Sequence, residues 1–385
     1  MKRTPLYQEH VTLGGDMVEY AGWDLPLHFK LGIVEEHNAV RNAAGAFDVS
    51  HMGDLIIRGE GAVKTAAKLF TNDLTGCKVG RAKYTHILNE NGKIIDDAMV
   101  IKVAEHEYLC VPNAATTQKV KDWIAQHGEG IIVEDYTGEV SCVSVQGPKA
   151  SDIVAKIFGE NVKALKKDRA DFFPIPAAWH VQKDERHMRD SVFHKKLQED
   201  VMALISRTGY TGEDGFEIVL PIRAGIHLWR AVLAPENNCV PIGLGARDTL
   251  RMEMGYLLSG QDFREDRTSL EAASESAVDW THDFIGRAVL EEQKRTGGFS
   301  EFTGLVMEES GVPKAGYKVY LESGEELGKL TSGGLSPTMN KGMGLGYFDP
   351  KKALSGVSVL VEIKDKKVKA RIAKPPLIAR PPFPL

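Results

Sequence analysis

The chain has 385 residues, of which 43% are hydrophobic and 26% charged, with a formal net charge of -5 at pH 7. That length exceeds what one hydrophobic core usually serves and implies two or three domains. The acidic balance argues against a protein held to nucleic acid by phosphate contacts, and no apolar run approaches the ~20 residues that span a bilayer.

The four cysteines, Cys77, Cys110, Cys142 and Cys239, are scattered without a CxxC pair. No zinc or iron–sulfur pattern is present, and a reducing, cytoplasmic setting is expected. The N-terminal MKRTPLYQEH lacks the apolar core of a signal peptide.

In chain order, an opening loop leads to an apolar segment interrupted by Pro26. IVEEHNAVRNAA (33–44) then places Ile33, Val34, His37, Val40 and Ala44 on one helical face. Residues 47–53 read as a polar crossing, 54–58 as a strand and 61–70 as a helix. The runs 84–88 and 94–102 flank Asn91-Gly92, a strong hairpin signal. A strand at 107–111, a helix at 115–127 and a strand at 130–135 complete a sheet with helices on one face.

Residues 140–145 form a further buried strand, and Pro148 starts a helix at its first turn. The polar segment 168–198 reads as a solvated insertion; its His180, His187 and His194 are spaced by seven, which is no zinc signature. Residues 201–205 and 218–220 are apolar runs on either side of SRTGYTGEDGFE (206–217), where glycines recur at 209, 212 and 215. Glycine lets such a connection turn tightly. Glu217 lies inside the apolar run from Phe216 to Leu220, and a carboxylate there, if buried, must find a partner or a ligand. Helices are expected at 224–234 and 245–254. Beyond Gly298, short strands separated by Gly and Pro suggest a small C-terminal barrel or sandwich, followed by a Pro-rich tail. Phosphate-loop, dinucleotide-binding, nucleophile-elbow and HExxH patterns are all missing.

Eight segments in the same order, among them AGWDLPLHF (21–29), TNDLTGCKVGRAKYTHILNENGKIIDDAMV (71–100), SRTGYTGEDGFE and GLGARDTLRMEMG (243–255), resemble the glycine cleavage T-protein (aminomethyltransferase) family, which includes related tetrahydrofolate-dependent methyltransferases and demethylases. The resemblance implies an α+β, three-domain cloverleaf with a C-terminal β-barrel and tetrahydrofolate in the central opening. It implies a folate-binding domain from 1–49 plus 140–262, a ferredoxin-like domain at 50–139, and a barrel domain at 263–385. It further implies Asp97, the second member of the DD pair, as the catalytic carboxylate, with Tyr84, Tyr210, Glu217 and Arg247 around the folate and no metal.

These residues suit that chemistry. A pterin offers a flat ring and an amide-like edge, from which a carboxylate such as Glu217 can accept two N–H bonds. Tyr84 and Tyr210 supply ring contacts and hydroxyls. Two departures stand out: Ser259 and Ser276 occupy positions where the family commonly carries aromatic side chains, so both are assigned to a widened substrate pocket. The leading expectation is transfer of a one-carbon unit from an aminomethyl-lipoyl carrier protein to tetrahydrofolate. The alternatives are a tetrahydrofolate-dependent enzyme taking a methyl group from a small methylated donor, and a non-enzymatic folate-binding protein that assists iron–sulfur cluster assembly.

Overall fold

A computed structural model describes residues 1–179, 181 and 190–379. Three sheets carry most of the packing. The first has six strands in the order Ala170–Pro174, Met202–Ser206, Gly215–Pro221, Val140–Gln146, Ala44–Asp48 and Cys239–Pro241. All its pairings are antiparallel except the last, which is parallel. Its strands read as continuous apolar runs because both faces are covered: Val143, Val145, Ile205 and Ile218 pack in one cluster, and Cys142, Leu204 and Val219 in another.

The second sheet is antiparallel throughout, in the order Ala82–Leu88, Ile94–Ala104, Glu107–Pro112, Leu55–Arg58 and Ile132–Asp135. Helices Ala62–Leu69 and Thr117–His127 lay Ala62, Ala66, Leu69, Val120 and Ile124 onto the same core as Leu55, Ile57, Val100 and Tyr108. This is the one-sided helix-on-sheet layering expected from the element order. The third sheet closes into a barrel of Glu301–Met307, Lys341–Phe348, Glu326–Ser336, Lys318–Leu321, Ser358–Ile363 and Lys366–Ala373. Closure removes the free strand edges that an open sheet would expose.

Two readings of the sequence need correction. The segment read as a polar crossing from Phe47 begins inside a fully buried strand, Ala44–Asp48. Its Ala-Gly-Ala start looks like a turn, yet the small residues are a packing requirement: a Cβ at Gly45 would lie 2.4 Å from Ile242 and 2.5 Å from Val40. The polar 168–198 segment is not simply a solvated insertion either. Ala170–Pro174 is the edge strand of the six-stranded sheet, and Phe193 and Leu197 belong to its core. The return is fastened by Glu107, which accepts hydrogen bonds from Ser191 Oγ at 2.9 Å and from the amides of Val192 and Phe193 at 2.9 and 2.8 Å. His180 and His187 lie outside the described residues. Among the described residues no helix is long and apolar enough to cross a membrane.

Candidate active site

The hairpin at Asn91-Gly92 sets the site. Side chains two apart on a strand share a face, so Tyr84 and His86 point the same way, and pairing places His86 opposite Asp97 and Tyr84 opposite Met99. Tyr84, Asp97 and Met99 thereby line one cavity of about 1190 Å³. The Gly-rich loop (Thr208, Tyr210, Glu213), the segment after the Leu244–Met254 helix (Tyr256, Leu257) and the stretch Ser274-Glu275-Ser276 complete its inner wall. Barrel residues such as Phe302 and Phe348 close another side.

The two adjacent aspartates have different surroundings because successive strand residues face opposite ways. Asp96 is fully buried and saturated with donors. Its Oδ1 accepts from Ser259 Oγ at 2.7 Å and Asn113 Nδ2 at 2.9 Å, and its Oδ2 from Thr116 Oγ1 at 2.7 Å and the Asn113 amide at 2.8 Å. Burial pushes its carboxyl upward while those donors pull it back. Asp97 accepts from Tyr84 Oη at 2.8 Å and Asn113 Nδ2 at 2.7 Å. Burial, and then the neighbouring Asp96 charge, raise its pKa to about 7. A carboxyl poised near neutrality in a cavity can both carry charge and exchange a proton.

Tyr210 lines the cavity and donates its hydroxyl to the Leu257 carbonyl. Its ring stacks on Tyr256 with centroids 5.6 Å apart, and the Arg247 guanidinium lies 4.8 Å from its centre. Arg247 itself lies outside the cavity lining; it lines a small neighbouring cleft with Asp48 and Gly243. Glu217 is half-buried on its strand, also off the lining, and accepts through Oε2 from the lining residue Thr208 at 2.6 Å. Among the described residues its Oε1 has no protein donor. Of the two serines, Ser276 lines the cavity, whereas Ser259 turns its hydroxyl onto Asp96. Arg207 pairs with Asp214 through two bonds of 2.9 and 2.7 Å and so braces the base of the loop.

His51, a base by residue type, is buried away from the cavity; its Nδ1 has no partner among the described residues, and its pKa is pulled down to about 4 by burial and by Arg247. The described residues contain no group of His, Cys, Asp and Glu arranged to hold a metal ion. Sequence reasoning passed over Asn113, whose side-chain amide bridges both aspartates; the signal was a lone Asn directly after the strand opposite the DD pair. It also passed over Arg41, whose guanidinium reaches the Thr211 carbonyl at 2.6 Å and Glu213 at 2.8 Å and so grips the Gly-rich loop.

Comparison with known proteins agrees with this architecture. Residues 6–282 match the family described as "GCVT N-terminal domain", and residues 301–378 match "Glycine cleavage T-protein C-terminal barrel domain". Proteins named aminomethyltransferase from Bacillus cereus and Bacillus mycoides are each 38% identical over 386 residues, covering 99% of either chain. A crystal structure of glycine cleavage system aminomethyltransferase T from Bartonella henselae superposes with a TM-score of 0.87 at 28% identity, covering 100% of this chain and 99% of that one. The chain belongs to the glycine cleavage T-protein (aminomethyltransferase) family.

Proposed function

We propose that this protein moves a one-carbon unit from an aminomethyl-lipoyl carrier protein to tetrahydrofolate, with Asp97 as the carboxylate at the reacting centre. The full-length likeness to aminomethyltransferases carries the reaction class. The presence of Asp97, Tyr84 and Tyr210 in the lining of one cavity carries the assignment of residues. The residues present fit tetrahydrofolate. A cavity of about 1190 Å³ is ample for a pterin with its tail, aromatic rings from Tyr84, Tyr210 and Tyr256 border it, and Glu217 has a carboxylate oxygen without a protein donor among the described residues.

Tetrahydrofolate, when bound, supplies the nucleophilic nitrogen that captures the one-carbon unit as ammonia leaves and the lipoyl thiol is freed. The chain supplies orientation and charge. Glu217, behind the lining residue Thr208 that holds it, would accept N–H bonds from a pterin edge that reaches it. Tyr210, fixed by Leu257, Tyr256 and Arg247, forms a rigid aromatic wall. Asp97 stabilises positive charge at nitrogen and exchanges a proton there, and its neighbour Asp96, satisfied by its own donors, holds the strand end in place.

The test is direct. Incubation of the protein with tetrahydrofolate and an aminomethylated lipoyl carrier is expected to release ammonia and form 5,10-methylenetetrahydrofolate in equal amounts. Silence in that assay, together with formation of 5-methyltetrahydrofolate from a small methylated donor, overturns the proposal.

A further inference from the structure

Behind Asp97 the hydrogen bonds do not stop at Tyr84. Tyr84 Oη lies 3.3 Å from His86 Nε2, and His86 Nδ1 lies 2.8 Å from Ser269 Oγ. Both His86 and Ser269 are fully buried. The Tyr84 and His86 rings meet edge to face with centroids 5.5 Å apart. Tyr84 has one hydroxyl proton, and it is committed to Asp97 Oδ2 at 2.8 Å. The oxygen must therefore accept from His86, which assigns the ring proton to Nε2 and leaves Nδ1 to accept from the Ser269 hydroxyl. Every donor in the row then points toward Asp97: Ser269 to His86, His86 to Tyr84, Tyr84 to Asp97. Burial holds the imidazole neutral, with its pKa lowered to about 3, as this direction requires. Aligned bonds of this kind polarise and strengthen one another.

We propose that His86, seated by Ser269, is a positioning residue that commits the Tyr84 proton to Asp97 and so favours the ionised carboxylate. This rests on the assignment of Asp97 to the transfer step. The titratable groups facing Asp97 are Asp96 from its own strand, Tyr84 and His86 from the partner strand, and Tyr210 from the Gly-rich loop; Asn113, which donates to its Oδ1 at 2.7 Å, does not titrate. Of these, only the Tyr84–His86–Ser269 row leads away from the carboxylate as a chain of donors. Without the His86 donor, the Tyr84 oxygen is left short of a partner, its bond to Asp97 weakens, and the carboxyl binds its proton at higher pH.

The experiment is a pH profile of kcat for ammonia release, with thermal melting and tetrahydrofolate affinity measured on the same preparations. It compares the wild type with His86→Leu, His86→Gln, Ser269→Ala and Asp97→Asn. His86→Leu is expected to move the acid limb upward by roughly half a pH unit and to lower kcat about two- to tenfold, with folate affinity held. His86→Gln, whose amide can still donate to Tyr84, is expected to restore part of both. Ser269→Ala is expected to shift the limb in the same direction by less, and it carries the test should His86→Leu fail to fold. An acid limb that stays in place in His86→Leu and Ser269→Ala, or a change confined to KM for tetrahydrofolate, overturns the positioning role. If Asp97→Asn itself leaves kcat intact, the assignment of Asp97 fails instead, so the two failures are told apart.

Discussion

Asp97 sits where its own ionisation is disfavoured, and that has a consequence for stability as well as for chemistry. Its carboxyl is raised from 3.8 to about 7, by burial first and by Asp96 second. The folded chain therefore binds a proton that the unfolded chain has already lost across that interval, and this group makes the fold less stable as pH rises through it. Asp97→Asn removes the penalty. Thermal melting is expected to show the variant above wild type near about pH 8, with the gap closing toward about pH 4; a gap independent of pH contradicts this. Glu217 tests the binding side. Glu217→Gln keeps its shape but turns one acceptor into a donor, so calorimetry is expected to show about 1–3 kcal/mol less tetrahydrofolate affinity. Unchanged affinity removes Glu217 from the pterin edge.

The Gly-rich loop from Ser206 to Glu217 owes its shape to groups far away in sequence. Arg41, on the Gly32–Asn42 helix, binds the loop through Thr211 and Glu213 and is itself held by Glu253 Oε2 at 2.8 Å. Glu253 also accepts from Ser336 and Thr338 at the end of a barrel strand, and His37 Nε2 lies 3.3 Å from it. Burial works to raise the Glu253 carboxyl, but His37, Ser336 and Arg41 win and bring it from 4.5 down to about 2. Its stabilising contribution is therefore complete above about 4.5 and lost as pH falls toward about 2. Arg41→Met leaves that carboxylate buried without its guanidinium, and urea denaturation is expected to show a loss of about 3–5 kcal/mol. Adding Glu253→Gln is expected to recover part of it, and strict additivity of the two changes argues against the network.

Little of this was legible in the sequence. His37 reads as one more position on an apolar helical face, and Arg41 falls off that face without drawing attention. What was legible followed strong local rules: the Asn91-Gly92 hairpin, the alternating strands around it and the glycine spacing of the loop. What was not depended on tertiary partners, some of them hundreds of residues away, as Glu253 is from Arg41 and Thr338 from His37. Ser259 shows the same limit, since a serine in place of an aromatic residue reads as an emptied wall, yet its hydroxyl is one of four donors that hold Asp96. His86 sits mid-strand between Thr85 and Ile87 with no motif around it, and only the strand register sets it opposite Asp97.

At the scale of the molecule, the cavity belongs to no single sheet. The hairpin brings Asp97 and Tyr84, the six-stranded sheet brings the Gly-rich loop, and the barrel brings Phe302 and Phe348. Buried ion pairs tie these parts to one another. Arg251, on the Leu244–Met254 helix, holds Asp262 at 2.7 Å, and Asp262 in turn accepts from Ser332 on a barrel strand at 2.7 Å. An assembly of this kind keeps the groups that line the cavity in register across sheets, the arrangement in which proximity contributes most to rate. The claim at its centre is that Asp97, not Asp96, faces the reacting nitrogen. The measurement that tests it most directly is turnover of ammonia release by Asp97→Asn and Asp96→Asn, each at saturating tetrahydrofolate. Asp97→Asn is expected to lose ~10²-fold or more in turnover while folate affinity stays within a few-fold, whereas Asp96→Asn loses stability and keeps most of its turnover. The opposite order, with Asp96→Asn inactive and Asp97→Asn active, contradicts the assignment.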